Sequence, residues 1–72
     1  MRSRLVTMRL KKVGARLRRL RDDLQVTEEQ RFALPDDSPD ADALARHRDH
    51  LVEQIGRLER EQDELLDRLG GG

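Results

Sequence analysis

The chain contains no cysteine, tryptophan or tyrosine, and Phe32 is its one aromatic residue. The absence of cysteine excludes disulfides, thiol nucleophiles and zinc fingers built on cysteine. No apolar run approaches the roughly 20 residues that a membrane-spanning helix needs, and the first residues lack the apolar core of a signal peptide. We therefore expect a cytoplasmic protein with no membrane span.

Residue patterns that support catalysis are also missing. Hydroxyl side chains occur only at Ser3, Thr7, Thr27 and Ser38. None of them has a partner base at a spacing that indicates a nucleophile. His47 and His50 lie three residues apart near two carboxylates, a spacing that can bind a metal on a helix, but histidines among charged residues are more often solvated. The sequence predicts a protein that is not an enzyme, with no catalytic, cofactor-binding or metal-binding residues.

Charge and leucine are abundant, and the leucines are regularly placed. Charged residues make up 42% of the chain, and fifteen basic and fifteen acidic side chains cancel, so the net charge indicates no particular partner. Apolar residues recur at spacings of four and three, the heptad pattern of helices that pack along a common seam. In the first half these positions are Val6, Leu10, Val13, Leu17, Leu20, Leu24, Thr27 and Arg31. In the second half they are Leu44, Arg48, Leu51, Ile55, Leu58, Gln62, Leu65 and Leu69.

The two sets meet one to one if the chain folds back between Asp37 and Ser38, because paired residues lie equally far from that point. The good layers are Leu24 with Leu51, Leu20 with Ile55, Leu17 with Leu58, Val13 with Gln62, Leu10 with Leu65 and Val6 with Leu69. Each layer joins an a position of the heptad to a d position, as an antiparallel pair of helices requires. The sequence therefore predicts an all-α, antiparallel two-helix hairpin of the coiled-coil type.

Proline, serine and glycine mark where the helices end. Pro35 closes the first helix because the residue before a proline is displaced from the helical region. Ser38 is a favourable N-cap, and Pro39 fits the first helical position, where its missing N–H is not needed. Gly70 is expected to end the second helix in the left-handed conformation. The predicted organisation is a single hairpin over 1–72, with helix one at about 3–33, a turn at about 34–39, helix two at about 40–69 and a glycine tail at 70–72.

One alternative interrupts the first helix. Residues 27–30, Thr-Glu-Glu-Gln, have the form of a capping box, which usually begins a helix. Helix one would then break near Val26, and a short third helix would run from about 28 to 34. Under either interpretation the seam is weak near the turn, because Thr27 and Arg31 occupy positions that are apolar elsewhere.

A single hairpin of this kind buries little apolar surface, so we expect it to self-associate. Ala45, Val52 and Leu66 add an apolar stripe beside the seam on helix two, and a stripe of that width is typical of a helix in a bundle. Gly14 lies on the same flank and would let a second helix approach. These four residues are the predicted oligomer interface of a homodimer that forms a four-helix bundle. The alternative is that the stripe covers the edge of its own core.

Gln62 faces Val13 as the one polar residue of the good layers. A polar residue at an a position can fix register and partner choice while it lowers stability. Buried and unpaired, its amide would cost about 1–3 kcal/mol, so we expect it to find a hydrogen-bond partner. We predict that Gln62 sets the register.

Basic residues are concentrated at the start of the chain. Residues 1–21 hold nine of the fifteen basic side chains and no acidic one. Positive charge at the N-terminus of a helix opposes the helix dipole, so these residues are expected to serve something other than the stability of helix one. We call them the basic stretch: Arg2, Arg4, Arg9, Lys11, Lys12, Arg16, Arg18, Arg19 and Arg21.

Two roles fit the basic stretch. It could pair with the acidic residues of helix two, in the same hairpin, where Arg16 would meet Glu61, or in a second copy. Those acidic residues are Glu59, Glu61, Asp63, Glu64 and Asp67. Alternatively it could bind nucleic-acid phosphates or anionic lipid head groups, but no exposed aromatic side chain is expected for base stacking. The residues predicted to contact an anion or a partner are Arg9, Lys12, Arg16, Arg18 and Arg19.

These surfaces predict a non-catalytic protein–protein interaction or scaffold module that acts as a homo-oligomer and also binds an unidentified protein. The alternative is a small nucleic-acid-binding or transcription-associated regulator that uses the basic stretch. A helical hairpin with carboxylates at its tip also resembles the finger of transcription factors that enter the secondary channel of RNA polymerase. Those factors carry a family-specific acidic pattern and a second, globular domain. These 72 residues match neither, so the resemblance is limited to shape and tip charge.

Overall fold

The computed structural model describes residues 2–70. Met1, Gly71 and Gly72 lie outside the described residues, and most of the predicted glycine tail lies there with them. Helix α1 spans Arg2–Phe32 and helix α2 spans Pro39–Gly70. The two helices pack against each other as a hairpin with extents of 54 × 14 × 13 Å. The predicted all-α helical hairpin is confirmed, and each helix boundary lies one residue from its predicted position.

The core of the hairpin is the predicted seam. Leu17 is its most deeply buried side chain, with 2% of its surface exposed. The buried cluster consists of Val13, Leu17, Leu20, Leu51, Ile55 and Leu65, and Val6, Leu10, Leu24 and Leu58 are partly buried against it. All ten are seam positions, so each helix contributes one apolar stripe. Leu69 is exposed, however, and the layer that it was predicted to form with Val6 is incomplete.

Helix α1 runs without a break through Thr27, so the alternative of a short third helix is wrong. The Thr27 side chain is buried, and its hydroxyl donates a hydrogen bond to the carbonyl oxygen of Asp23, with 2.7 Å between the two oxygens. A capping threonine would instead accept a hydrogen bond from a backbone N–H at the start of a helix. Bonding back to the residue four positions earlier satisfies the hydroxyl inside the helix. Thr27 can therefore occupy a core position.

The seam extends one layer closer to the turn than the apolar pattern indicated. Ala41 is buried, and it lies seven residues before Arg48, at the same heptad position. Leu34 is equally far from the fold point on α1 and is half-buried. Thr27 and Ala41 are both buried near the turn, whereas Arg31 is exposed and its layer partner Leu44 is half-buried. The side chains that are buried there are small, and the predicted weakness of this end of the seam stays a prediction.

Hydrogen bonds define the turn. The N–H of Ser38 donates to the carbonyl oxygen of Pro35 at 3.1 Å and closes a four-residue turn. The Ser38 hydroxyl oxygen accepts a hydrogen bond from the N–H of Asp40 at 3.3 Å, so Ser38 caps α2 as predicted. At the other end, Gly70 belongs to α2 and is not in the left-handed region. The prediction for Gly70 is wrong, because glycine can also continue a right-handed helix.

Ion pairs connect the two helices along their exposed edges. Within residues 2–70 they are Arg9 with Glu61, Arg21 with Glu59 and Arg48 with Glu28. Glu61 accepts a hydrogen bond from Nε of Arg9 at 2.8 Å, so its partner is not the predicted Arg16. Arg9 lies one heptad before Arg16, and the long arginine side chain spans the diagonal. Exposed pairs contribute about 0–1 kcal/mol each, so they align the helices more than they stabilise them.

Candidate interaction surfaces

The residues predicted to form the oligomer interface share the e position of the heptad. We call them the apolar flank: Gly14, Ala45, Val52 and Leu66. Val52 and Leu66 are 47% and 51% exposed, whereas Gly14 and Ala45 are half-buried. The hairpin leaves the two larger side chains incompletely buried. Contact with another surface would remove more of their apolar area from water.

An ion pair interrupts the apolar flank. Glu59 lies midway between Val52 and Leu66 on α2, and Arg21 reaches it from α1 with 3.4 Å between Nη2 and Oε2. Both charged side chains are more than half exposed, so the pair is solvated and weak. On α2 the predicted stripe therefore consists of two exposed apolar side chains, Val52 and Leu66, with the Arg21–Glu59 ion pair between them.

The residues predicted to contact an anion or a partner do not form one surface, although all five are exposed. Lys12, Arg16 and Arg19 line a shallow groove on α1 together with Asp23. Arg9 is held by Glu61. Arg18 takes no part in the groove and occupies the b position, which is next to the e position around the helix. The structure thus separates a cationic groove from a basic residue beside the apolar flank.

Charge divides the hairpin along its length. The open half, residues 2–21 and 54–70, holds twelve basic and five acidic side chains. The turn half, residues 22–53, holds three basic and ten acidic ones. The formal charges are therefore +7 and −7. The sequence alone shows the basic stretch at the start of the chain. The division of the whole hairpin becomes apparent only in the fold, because the fold determines which part of α2 lies beside each part of α1.

Phe32 is the most exposed large apolar residue in the described part of the chain, at 90%. It ends α1 beside a shallow groove that is also lined by Glu28, Leu34 and Arg48. The expectation that no aromatic side chain is exposed is wrong. Its b position, outside the seam, was the signal that could have revealed this exposure. Acidic residues of α1 separate Phe32 from the basic stretch, so it is poorly placed to stack on a base held there.

Arg48 occupies a seam position and keeps its charge solvated. Its Nε donates to Oε1 of Glu28 at 2.8 Å, and its Nη1 lies 3.4 Å from Oδ1 of Asp49. The hydrogen bond to Glu28, followed by the charge of that carboxylate, raises the pKa of Arg48 above its ordinary value. Arginine is charged at physiological pH even without this shift, so the ion pair links the two helices beside the turn.

Neither metal chemistry nor a known relative assigns a function. His47 and His50 are exposed, and across residues 2–70 no three His, Cys, Asp or Glu side chains are grouped to hold a metal ion. Nor is any helix in that range long and apolar enough to cross a membrane. No known protein family, curated protein or solved structure matches the chain. A function has to be inferred from the surfaces themselves.

Gln62 is half-buried in the seam. Among the described residues, no buried side-chain nitrogen or oxygen lacks a hydrogen-bond partner. At this exposure the amide reaches water, so the expected penalty for an unpaired buried amide does not arise. Its role in setting the register stays a prediction.

Proposed function

We propose that the protein is a non-catalytic protein–protein interaction module that works as a homodimer. In the dimer, the apolar flanks of two hairpins pack together and form a four-helix bundle. The observation that carries this proposal is the half exposure of Val52 and Leu66 beside Gly14 and Ala45. A second copy offers the same flank, so a two-fold axis makes the contact self-complementary.

The small core also supports a partner. The buried cluster contains six residues in a single seam, and short chains bury a smaller fraction of their surface than large ones do. At roughly 25 cal/mol per Å², each additional 40 Å² or so of buried apolar area contributes about 1 kcal/mol. A second copy would thus supply burial that one hairpin lacks.

Binding fits the shape of these surfaces better than catalysis does. A catalytic site needs a concave pocket on which several polar groups converge, and two packed helices offer ridges and shallow grooves. The groove of Lys12, Arg16 and Arg19 combines cations with the carboxylate of Asp23. This set suits the binding of an anion or an acidic surface more than proton transfer near neutral pH.

Glutamate at both exposed positions of the apolar flank tests the homodimer. Val52→Glu combined with Leu66→Glu is expected to convert a dimer into a monomer of 8.4 kDa, because two added carboxylates would be buried at the interface. The helical content by circular dichroism is expected to persist, since both residues lie outside the seam. Light scattering across the micromolar range measures the mass.

Leu5→Glu combined with Val26→Glu is the matched control. These two apolar residues of α1 are 71% and 51% exposed, and both occupy the c position, on the other side of the helix from the apolar flank. This variant is expected to remain dimeric. A wild-type chain that is monomeric at every concentration, or equal masses for the two double variants, would contradict the homodimer.

A second candidate function is nucleic-acid binding through the cationic groove. Lys12, Arg16 and Arg19 are exposed and lie together, and duplex phosphates are bound by such clusters. The carboxylate of Asp23 in the same groove would repel phosphate, which makes this candidate the weaker of the two.

A further inference from the structure

We infer that the two copies lie antiparallel, with the turn half of each beside the open half of the other and Phe32 of each packed over Gly14 of its partner. This inference rests on the proposed homodimer and adds its orientation and register. It begins from two features that a single hairpin does not use. Phe32 is 90% exposed, and a Cβ atom built at Gly14 or Gly56 would meet no neighbouring atom within 4 Å.

These features share a face of the hairpin. The e and b positions are adjacent around a helix at 3.6 residues per turn, so the face that holds the apolar flank also holds the b residues. Phe32, Arg18 and Gly56 are b residues. One face therefore combines the exposed aromatic ring, the exposed Arg18 and both mid-helix glycines. Glycine lets another chain approach the helix closely, and the ring offers a side chain that can fill such a space.

Charge selects the antiparallel orientation. With the axes antiparallel, each turn half of charge −7 lies against residues 9–21 and 54–66 of the partner, which hold nine basic and four acidic side chains. Packed helices lie about 8–10 Å apart, close to the Debye length of about 8 Å at physiological salt, so charges on adjacent helices still interact. The last part of the basic stretch, residues 16–21, then lies over the acidic end of the partner's α1, around Glu28 and Glu29.

The parallel orientation is less favourable. It would set the basic stretch near the partner's acidic residues on α2. Glu61 and Glu59 are already bound by Arg9 and Arg21 of their own hairpin, just as Glu28 on α1 is bound by Arg48, so these pairs favour neither orientation. The parallel orientation would also place the two turn halves together, with ten acidic side chains in each. Adjacent like charges are repulsive at this spacing.

The register follows from Val52. On the hairpin, Val52 is level with residue 23, since both lie equally far from the fold point. A two-fold axis at that level sets Val52 against its own copy. On α1 the same axis places each residue opposite a residue of the partner that lies equally far from position 23 in the other direction. Gly14 then meets the partner's Phe32, and Arg18 meets the partner's Glu28. An aromatic ring rests on a glycine, and a basic side chain faces an acidic one.

A spin label at the tip measures the orientation. The chain has no cysteine, so Asp37→Cys introduces one labelling site at an exposed turn residue. In the antiparallel dimer the two labels are expected about 40 Å apart, because each lies some 14 residues beyond the axis at about 1.5 Å per residue. In a parallel dimer they would be within about 20 Å, given the spacing of packed helices.

The outcomes separate the two proposals. A distance near 40 Å by double electron–electron resonance supports the antiparallel dimer. A short distance overturns the orientation and leaves the homodimer standing. No dipolar coupling at concentrations where light scattering reports a dimer also overturns the orientation, whereas a monomer in both measurements overturns the homodimer itself.

Phe32→Ala tests the packing and register. It is expected to raise the dissociation constant by about tenfold, as removal of a packed aromatic side chain from an interface does, while Val26→Ala leaves it unchanged. Gly14→Ala is expected to weaken the wild-type dimer but to raise the melting temperature of the monomeric Val52→Glu, Leu66→Glu hairpin, where the new methyl group meets open space. An unchanged dissociation constant for Phe32→Ala would overturn the packing on Gly14.

Discussion

Replacing Leu17 by alanine is expected to lower the free energy of unfolding by about 3–5 kcal/mol. Leu17 is the most deeply buried side chain, at 2% exposure, in the centre of a narrow seam. Its loss removes apolar contacts and leaves a cavity that the flanking layers fill only in part. The free energy of unfolding of a small domain is only about 5–15 kcal/mol, so a loss of this size is a large fraction of the stability of one hairpin. Urea denaturation followed by circular dichroism measures the change.

Leu5→Ala is the matched control for this experiment. It removes the same atoms from a side chain that is 71% exposed on α1, so the expected change is within about 0.5 kcal/mol. The three chains must be compared at one concentration, because dimerisation adds to apparent stability. Equal losses for Leu17→Ala and Leu5→Ala would show that the seam is not the core.

Replacing Arg16, Arg18 and Arg19 by glutamine is expected to weaken self-association by about tenfold at low salt. Arg18 faces the partner's Glu28, an exposed pair of this kind contributes up to about 1 kcal/mol, and the dimer contains it twice. The hairpin is expected to stay folded, because all three side chains are exposed outside the seam. Sedimentation at low and high salt measures the dissociation constant, and the difference between variants should shrink as salt rises.

Nucleic-acid binding would give another result from the same variant. Affinity for a duplex would fall with salt at a log–log slope near 0.9 per phosphate neutralised, and the triple change would flatten that slope by up to about three such steps. The mass of the protein would not change. Micromolar or tighter binding of DNA or RNA at physiological salt, abolished by the triple change, would refute the pairing role of the basic stretch.

Substituting the arginines separately distinguishes self-association from nucleic-acid binding more clearly. Arg18→Gln alone should account for most of the loss of self-association, because Arg18 is the one of the three beside the apolar flank. Arg16→Gln combined with Arg19→Gln should account for any loss of nucleic-acid binding, because both line the cationic groove. A control with the same charge change is the triple glutamine variant at the exposed α2 residues Arg46, Arg57 and Arg60, which is expected to affect neither property.

The heptad spacing predicts the seam well because burial in a helix pair follows periodicity alone. Leu17, Leu51 and Ile55 are buried where the register places them. The same reasoning fails where a side chain changes character with its surroundings. Thr27 is a polar residue in the heptad pattern, but its hydroxyl donates a hydrogen bond to a carbonyl of its own helix, and the remaining methyl group is compatible with a core.

The surface was harder to predict than the core, because side-chain length and neighbours decide it. In sequence, Glu61 can pair with Arg16 or with Arg9, and only the structure shows that Arg9 spans the diagonal. The exposure of Phe32 follows from its heptad position, but the open space at Gly14 depends on what neighbouring side chains leave free. The sequence therefore indicates which residues lie at the candidate interface, but not how much space their side chains leave for a partner.

The capped turn also sets the order in which the hairpin assembles. Closing a short loop loses the least chain entropy. The layers beside Ser38 are therefore expected to form first, and the others are expected to follow in order toward the open end. The last layer to close contains the exposed Leu69 and has the least burial to hold it. Fraying is therefore expected to start at the end that carries the basic stretch, and proteases that cleave after arginine and lysine are expected to cut the backbone there before the rest of the chain unfolds.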